Sequence, residues 1–141
     1  MNFQRKGTSR MEDRALVELA LRMRERAYAP YSGYRVGAAL LSASGQVFTG
    51  CNVENAVYPL GLCAERVAVF KAISEGEHHF TAIAVATENG GTPCGACRQV
   101  LSEFSPDLRI LLVDAKGHVR ETSLRALLPE PFGPRDLQAV R

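Results

Sequence analysis

Residues 63–104, "CAERVAVFKAISEGEHHFTAIAVATENGGTPCGACRQVLSEF", decide the fold, because they read as helix, strand and helix in direct succession. The first helix is expected from about Cys63 to Glu75, with Gly76 in position to cap its C-terminus. "FTAIAVAT" reads as a buried strand. Thr92 suits an N-cap and Pro93 the first helical position, so the second helix is expected to start there, with Cys94 and Cys97 in its first turn.

Upstream, "VGAALLSASGQVFTGCNV" holds two β-prone runs divided by a small polar turn, which places an antiparallel pair at about residues 35–52. Before it, Leu16, Leu19, Ala20, Met23 and Ala27 recur at helical spacing from Arg14 to Ala27, and Pro30 ends that run. Downstream, "DLRILLVDAKGHVRETS" gives a buried strand, a Lys-Gly turn and a second extended run. "SLRALLP" follows as a short helix stopped by Pro129. Alternation of this kind implies an α/β or mixed three-layer domain, a sheet with helices packed on its faces.

The chain has 141 residues, enough for one core and too few for two ordinary domains. Residues 1–13 are read as a flexible N-terminal extension and residues 14–141 as the single domain. Apolar residues at 46% and charged residues at 23% are the balance of a globular protein. No apolar stretch approaches the roughly 20 residues needed to span a bilayer, so no membrane role is expected. The basic, polar N-terminus lacks the core of a secretory signal, which makes the cytoplasm the expected compartment. Net charge is +2, and the N-terminal arginines are interleaved with Glu12, Asp13, Glu18 and Glu25. That pattern is a solvated helix face and not a nucleic-acid stripe.

Four cysteines, Cys51, Cys63, Cys94 and Cys97, are then better suited to metal or catalysis than to disulfides. Cys94 and Cys97, three apart, would share one face of a helix and hold one ion. Cys63 also stands at a helix start, where the unpaired N–H groups and the macrodipole favour thiolate. A redox CxxC pair would leave Cys63 unexplained, and a closed structural zinc site would need a fourth ligand. Cys51 is expected to pack in the core, with a four-cysteine site as the alternative.

Three ligands and one open position are instead how a catalytic zinc is built. Glu65, two residues from Cys63, is poorly angled to bind the same ion from a regular helix and suits a separate proton shuttle. Three thiolates on a zinc dication leave one net negative charge. Arg66, three residues after Cys63, is expected to donate hydrogen bonds to thiolate sulfur; the alternative is a solvated surface arginine. His78, His79 and His118 match no ligand spacing and are expected in solvated loops.

"CAE" followed by "PCGAC" resembles the signature of the zinc-dependent nucleoside and nucleobase deaminases. Within them, "YSGYRVGAALL", "GCNVENAVYPLGLCAER", "PCGACRQV" and "ALLPEPFGPRDL" resemble the small homotetrameric cytidine deaminases, over nearly the whole chain from Arg14 to Leu137. The resemblance implies a three-layer α/β/α fold with a mixed sheet of about five strands and helices on both faces. It implies one zinc held by Cys63, Cys94 and Cys97, Glu65 as the proton shuttle, and ribose hydroxyls held by Asn52 and Glu54. On the residues alone, Asn52 and Glu54 are equally well a strand-to-loop turn facing water. Tyr34 stands where the family usually has phenylalanine beside the pyrimidine, and backbone near Ala64 and Cys94 is expected to read the base edge. Phe132 resembles the aromatic that such enzymes insert into a neighbouring subunit's site, set in a proline-stiffened tail with no helix or strand of its own.

The implied activity is hydrolytic deamination of cytidine and 2'-deoxycytidine in pyrimidine salvage, by a cytoplasmic homotetramer whose sites are completed by neighbouring subunits. Alternatives are a sibling deaminase acting on another cytosine nucleoside such as blasticidin S, or a zinc-stapled binding module without turnover. A polynucleotide substrate would want a basic groove with stacking aromatics, which the sequence does not offer.

Overall fold

The turn "SASGQ" closes the first hairpin: Gly45 takes a φ of +94°, a left-handed conformation that favours glycine, and Ser42 N–H donates to Gln46 O at 2.8 Å. The structure, a computed structural model, describes residues 2–138 and the side chains of residues 12–138. Met1, assigned to the extension, and residues 139–141, assigned to the domain, lie outside the described residues.

Strands β1 (Gly37–Ser42) and β2 (Val47–Cys51) pair antiparallel, with Ala38 opposite Gly50. β1 pairs antiparallel with β3 (Phe80–Ala86), β3 pairs parallel with β4 (Arg109–Val113), and β4 pairs antiparallel with β5 (Val119–Ser123). The result is the expected mixed five-stranded sheet, in the order β2-β1-β3-β4-β5.

Side chains alternate across this sheet, and both faces are covered. Ala39, Ala82, Ala84, Leu111 and Val113 bury one face against Leu16 and Ala20 of α1 (Asn2–Arg24). Leu40, Ile83, Val85, Ile110 and Leu112 bury the other under Ala68, Val69 and Ala72 of α2 (Ala64–Ser74) and Leu101 of α3 (Gly95–Phe104). Each fully buried Leu, Ile or Val contributes roughly 1.5–3 kcal/mol. The layers are therefore α/β/α, and the two-sided burial explains the continuous apolar runs of β3 and β4.

Two glycines set how closely the helices approach. A Cβ on Gly37 would stand 2.1 Å from Ala20 O in α1, and one on Gly50 2.4 Å from Ala64 O in α2. The second contact presses the start of α2 onto the end of β2, which brings Cys63 beside Asn52.

The first helix differs from expectation at both ends. It begins at Asn2 and ends at Arg24, with Ala27 N–H held in a turn by Arg24 O. α2 and the short α4 (Leu124–Leu127) lie as predicted, with Gly76 at φ +92° and Ser123 capping Ala126 N–H. α3 begins later than predicted, with Cys94 and not Thr92 as its N-cap. Arg98 explains the shift: its guanidinium binds Thr92 Oγ1 at 2.9 Å and Pro93 O at 2.7 Å, which holds both residues in the preceding loop. The tail carries a helix that the sequence reading left out, α5 (Pro134–Gln138), next to Phe132.

Candidate active site

Cys63 and Cys94 are both helix N-caps, in extended conformation, and neither thiol makes a capping hydrogen bond. Ser, Thr, Asp or Asn is favoured there, and loss of such a cap costs about 0.5–2 kcal/mol. The two thiols are free to point at a third. Cys97, buried in the first turn of α3, completes a cluster whose sulfurs all lie within 4.8 Å of one another. Cys63 Sγ is 3.9 Å from Cys94 Sγ, which is 3.5 Å from Cys97 Sγ. Two sulfurs held about 2.3 Å from one zinc at the tetrahedral angle stand about 3.8 Å apart. The thiols therefore fit that ion as they stand.

No fourth ligand joins the cluster among the described residues. Cys51 is not the buried core residue expected of it; it is half-buried on β2, an edge strand. His78, His79 and His118 are exposed and outside the cluster, His118 resting on Asp114 at 3.1 Å.

Glu65 sits in the first turn of α2, buried, and its Oε1 has no hydrogen-bond partner. Burial, and next the Cys63 charge, hold its carboxyl above the ordinary range, while hydrogen bonding to its own backbone opposes the rise. A buried oxygen without a partner costs free energy unless a ligand satisfies it. Arg66 donates from Nη2 to Cys63 Sγ at 3.3 Å, as expected, and its own pKa is raised chiefly by that contact. The Cys97 thiol and the Arg66 guanidinium pull Cys63 down to about 5 against its burial. Cys97 is pushed up, first by its hydrogen bond with Cys63 and then by burial.

A cavity of about 470 Å³ opens beside the cluster, lined by Cys63, Arg66, Asn52, Glu54, Tyr31 and Tyr58 among others. That volume is within the range of small-molecule sites. Asn52 and Glu54 line this cavity and are also built into the fold around it. Asn52 Oδ1 accepts from Val36 N–H at 2.8 Å and its Nδ2 donates to Tyr34 O at 2.9 Å. The Glu54 carboxylate accepts from Tyr31 N–H at 3.0 Å, Ser32 N–H at 3.1 Å and the Ser32 hydroxyl. Ser32 first among these holds Glu54 below its ordinary pKa.

Ala64, Glu65, Cys94, Tyr34 and Phe132 are not among the cavity-lining residues. Ala64 is fully buried against β2. Phe132 is 58% exposed, with its carbonyl held by Gln99 Nε2 at 2.5 Å. Tyr34 donates its hydroxyl to Asn89 Oδ1 at 2.8 Å. The sequence reading missed Arg98, Asn89 and Ser32. A guanidinium directly after the CxxC motif was the available sign for Arg98; Asn89 and Ser32 act through long-range contacts that spacing does not encode.

Three converging thiols, with a buried Glu65 whose Oε1 is unpaired beside them, form a cluster that could hold a metal ion with no fourth protein ligand among the described residues. Residues 10–112 match the family described as the cytidine and deoxycytidylate deaminase zinc-binding region. The chain is 45% identical over 130 residues to a cytidine deaminase of Sporosarcina psychrophila, covering 90% of this chain and 96% of that one. Among solved structures, cytidine deaminase from Burkholderia pseudomallei superposes with a TM-score of 0.80 at 52% identity, over 84% of this chain and 98% of that chain. The enzyme from Mycobacterium tuberculosis gives 0.74 at 41%, over 85% and 96%. The chain belongs to the cytidine and deoxycytidylate deaminase family.

Proposed function

We propose that this chain hydrolyses cytidine and 2'-deoxycytidine to uridine and 2'-deoxyuridine, releasing ammonia. One observation carries the reading: the cluster Cys63–Cys94–Cys97 lies next to a buried Glu65 oxygen that no protein group satisfies. The relatives at 45% and 52% identity are named cytidine deaminases.

Cys63, Cys94 and Cys97 would hold the zinc. Bound there, the ion would supply Lewis acidity, which lowers the pKa of water toward about 7. Arg66 offsets the surplus negative charge of three thiolates through its bond to Cys63. Glu65 accepts the proton of the attacking water and delivers it to ring N3 as oxygen adds at C4. The same carboxyl carries the second proton to the exocyclic nitrogen; the C4–N bond breaks and ammonia leaves. Burial suits Glu65 to this task, because a raised pKa lets one group both take and return a proton.

Asn52 and Glu54 face the cavity and would bind the ribose hydroxyls, each with lone pairs or N–H capacity left beyond its internal bonds. Backbone at Ala64 and Cys94 would read the base, and Tyr34 would stand near it. We further infer a single domain at residues 14–141, a cytoplasmic role in pyrimidine salvage, and a homotetramer in which Phe132 enters a neighbour's site. Exposed Val57 (57%), Tyr58 (75%), Leu60 (70%) and Phe132 support the assembly, since apolar side chains so placed favour burial between copies. Among the described residues, no helix is long and apolar enough to cross a membrane.

The test is ultraviolet spectroscopy of cytidine, deoxycytidine, cytosine and blasticidin S with purified protein, paired with metal analysis. Conversion of the first two with one zinc per chain is expected. One zinc per chain with none of the four altered would refute the assignment.

A further inference from the structure

Tyr34 does not line the cavity of a single chain, yet its bonds reach both halves of the site. Its carbonyl accepts from Asn52 Nδ2 at 2.9 Å, and its N–H donates to Ser32 Oγ at 3.0 Å, the hydroxyl that in turn binds Glu54. Those contacts tie it to the sugar-facing segment. Its phenol reaches the other way, to Asn89 Oδ1 at 2.8 Å, across 55 residues of sequence.

Asn89 is at the tip of the loop that runs from β3 to Cys94. Thr87 Oγ1 accepts from Gly91 N–H at 3.0 Å and reaches Asn89 Oδ1 at 3.4 Å, while Gly90 turns the chain at φ +73°. Toward Cys94, Arg98 fixes Thr92 and Pro93. The loop is thus held at its end by Arg98 and at its tip by the Tyr34 hydroxyl, alongside a backbone bridge from Asn89 to Asp114 and a bond from Ala115 N–H to Glu88 O at 3.3 Å. Packing there is close: a Cβ on Gly91 would stand 3.2 Å from the Tyr34 hydroxyl oxygen. A phenylalanine at position 34 would leave Asn89 Oδ1 with only the long contact from Thr87.

We propose that the Tyr34 hydroxyl, acting through Asn89, is a positioning group that fixes the loop bearing Cys94 and so couples the sugar-facing segment to the metal centre. The proposal rests on the zinc reading of the three cysteines. Its content is separate: a hydroxyl bonded to Asn89 and to none of the three cysteines governs how firmly Cys94 is held.

The experiment measures zinc transfer to a chromophoric chelator from wild type, Tyr34→Phe, Asn89→Ala, the double variant and Asn89→Asp, with kcat and KM for cytidine on each. A neutral hydrogen bond contributes about 1 kcal/mol, or roughly fivefold. Tyr34→Phe and Asn89→Ala should each speed zinc release about fivefold and lower kcat more than they change KM. The double variant should match the singles, and Asn89→Asp, which keeps an acceptor, should stay near wild type. Wild-type zinc release in Tyr34→Phe, or single effects that multiply in the double variant, would overturn the proposal. So would a change in KM alone, which would make Tyr34 a wall of the substrate site. A wild-type protein holding no zinc would refute the metal reading itself, and the proposal with it.

Discussion

Glu65 and Arg66 are neighbours with opposite tasks, and each is poorly satisfied by the protein alone: Glu65 Oε1 and Arg66 Nε are buried without partners. Replacing Glu65 by Gln keeps the shape and removes the proton carrier. Glu65→Gln should retain one zinc per chain while turnover falls by about two to four orders of magnitude, read by metal analysis and spectrophotometry. Wild-type turnover in Glu65→Gln would remove Glu65 as the proton carrier. Arg66→Gln removes the bond to Cys63 and should weaken zinc binding or kcat by about tenfold, measured by chelator competition. Glu54 gives a prediction in pH. Its folded pKa lies below the ordinary 4.5, so its stabilising effect is present above that value and is lost as pH falls through the lowered one. The melting-temperature gap between wild type and Glu54→Gln should accordingly shrink as pH drops below about 4.5.

The contact between α2 and β2 depends on the missing side chain of Gly50. Gly50→Ala would drive a Cβ into Ala64 O, at 2.4 Å, and should cost about 1–3 kcal/mol in urea denaturation while displacing Cys63 and loosening zinc. At this scale much was legible in the sequence. The hairpin turn, the strands β3 and β4 and the capped end of α2 follow from local glycine chemistry and apolar runs, and local rules decide them. The start of α3 was misplaced because Thr92 and Pro93 carry the usual signs of a helix start, whereas Arg98 draws them into the loop from beyond the motif. α1 was read from Arg14 because the periodic apolar residues of the sequence start at Leu16, whose side chain packs on the sheet. The three-cysteine cluster was legible because Cys carries its chemistry in its identity, and the proposed role of Glu65 rests on the same ground. The Tyr34–Asn89 bond was not, since it joins distant loops.

Over the whole molecule, the side chains of Val57, Tyr58, Leu60 and Phe132 stand in solvent on a single chain, and Tyr58 borders the cavity. If copies cover one another there, Phe132→Ala should lower activity at an unchanged zinc content and weaken the tetramer in sedimentation; a fully active wild-type monomer would remove that role for Phe132. The proposed hydrolysis requires three sulfurs, and no more, around the metal. X-ray absorption at the zinc edge of the purified protein tests this most directly. It should report three sulfurs at about 2.3 Å and one oxygen near 2.0 Å, whereas four sulfurs would mark a closed structural site and contradict the hydrolytic mechanism.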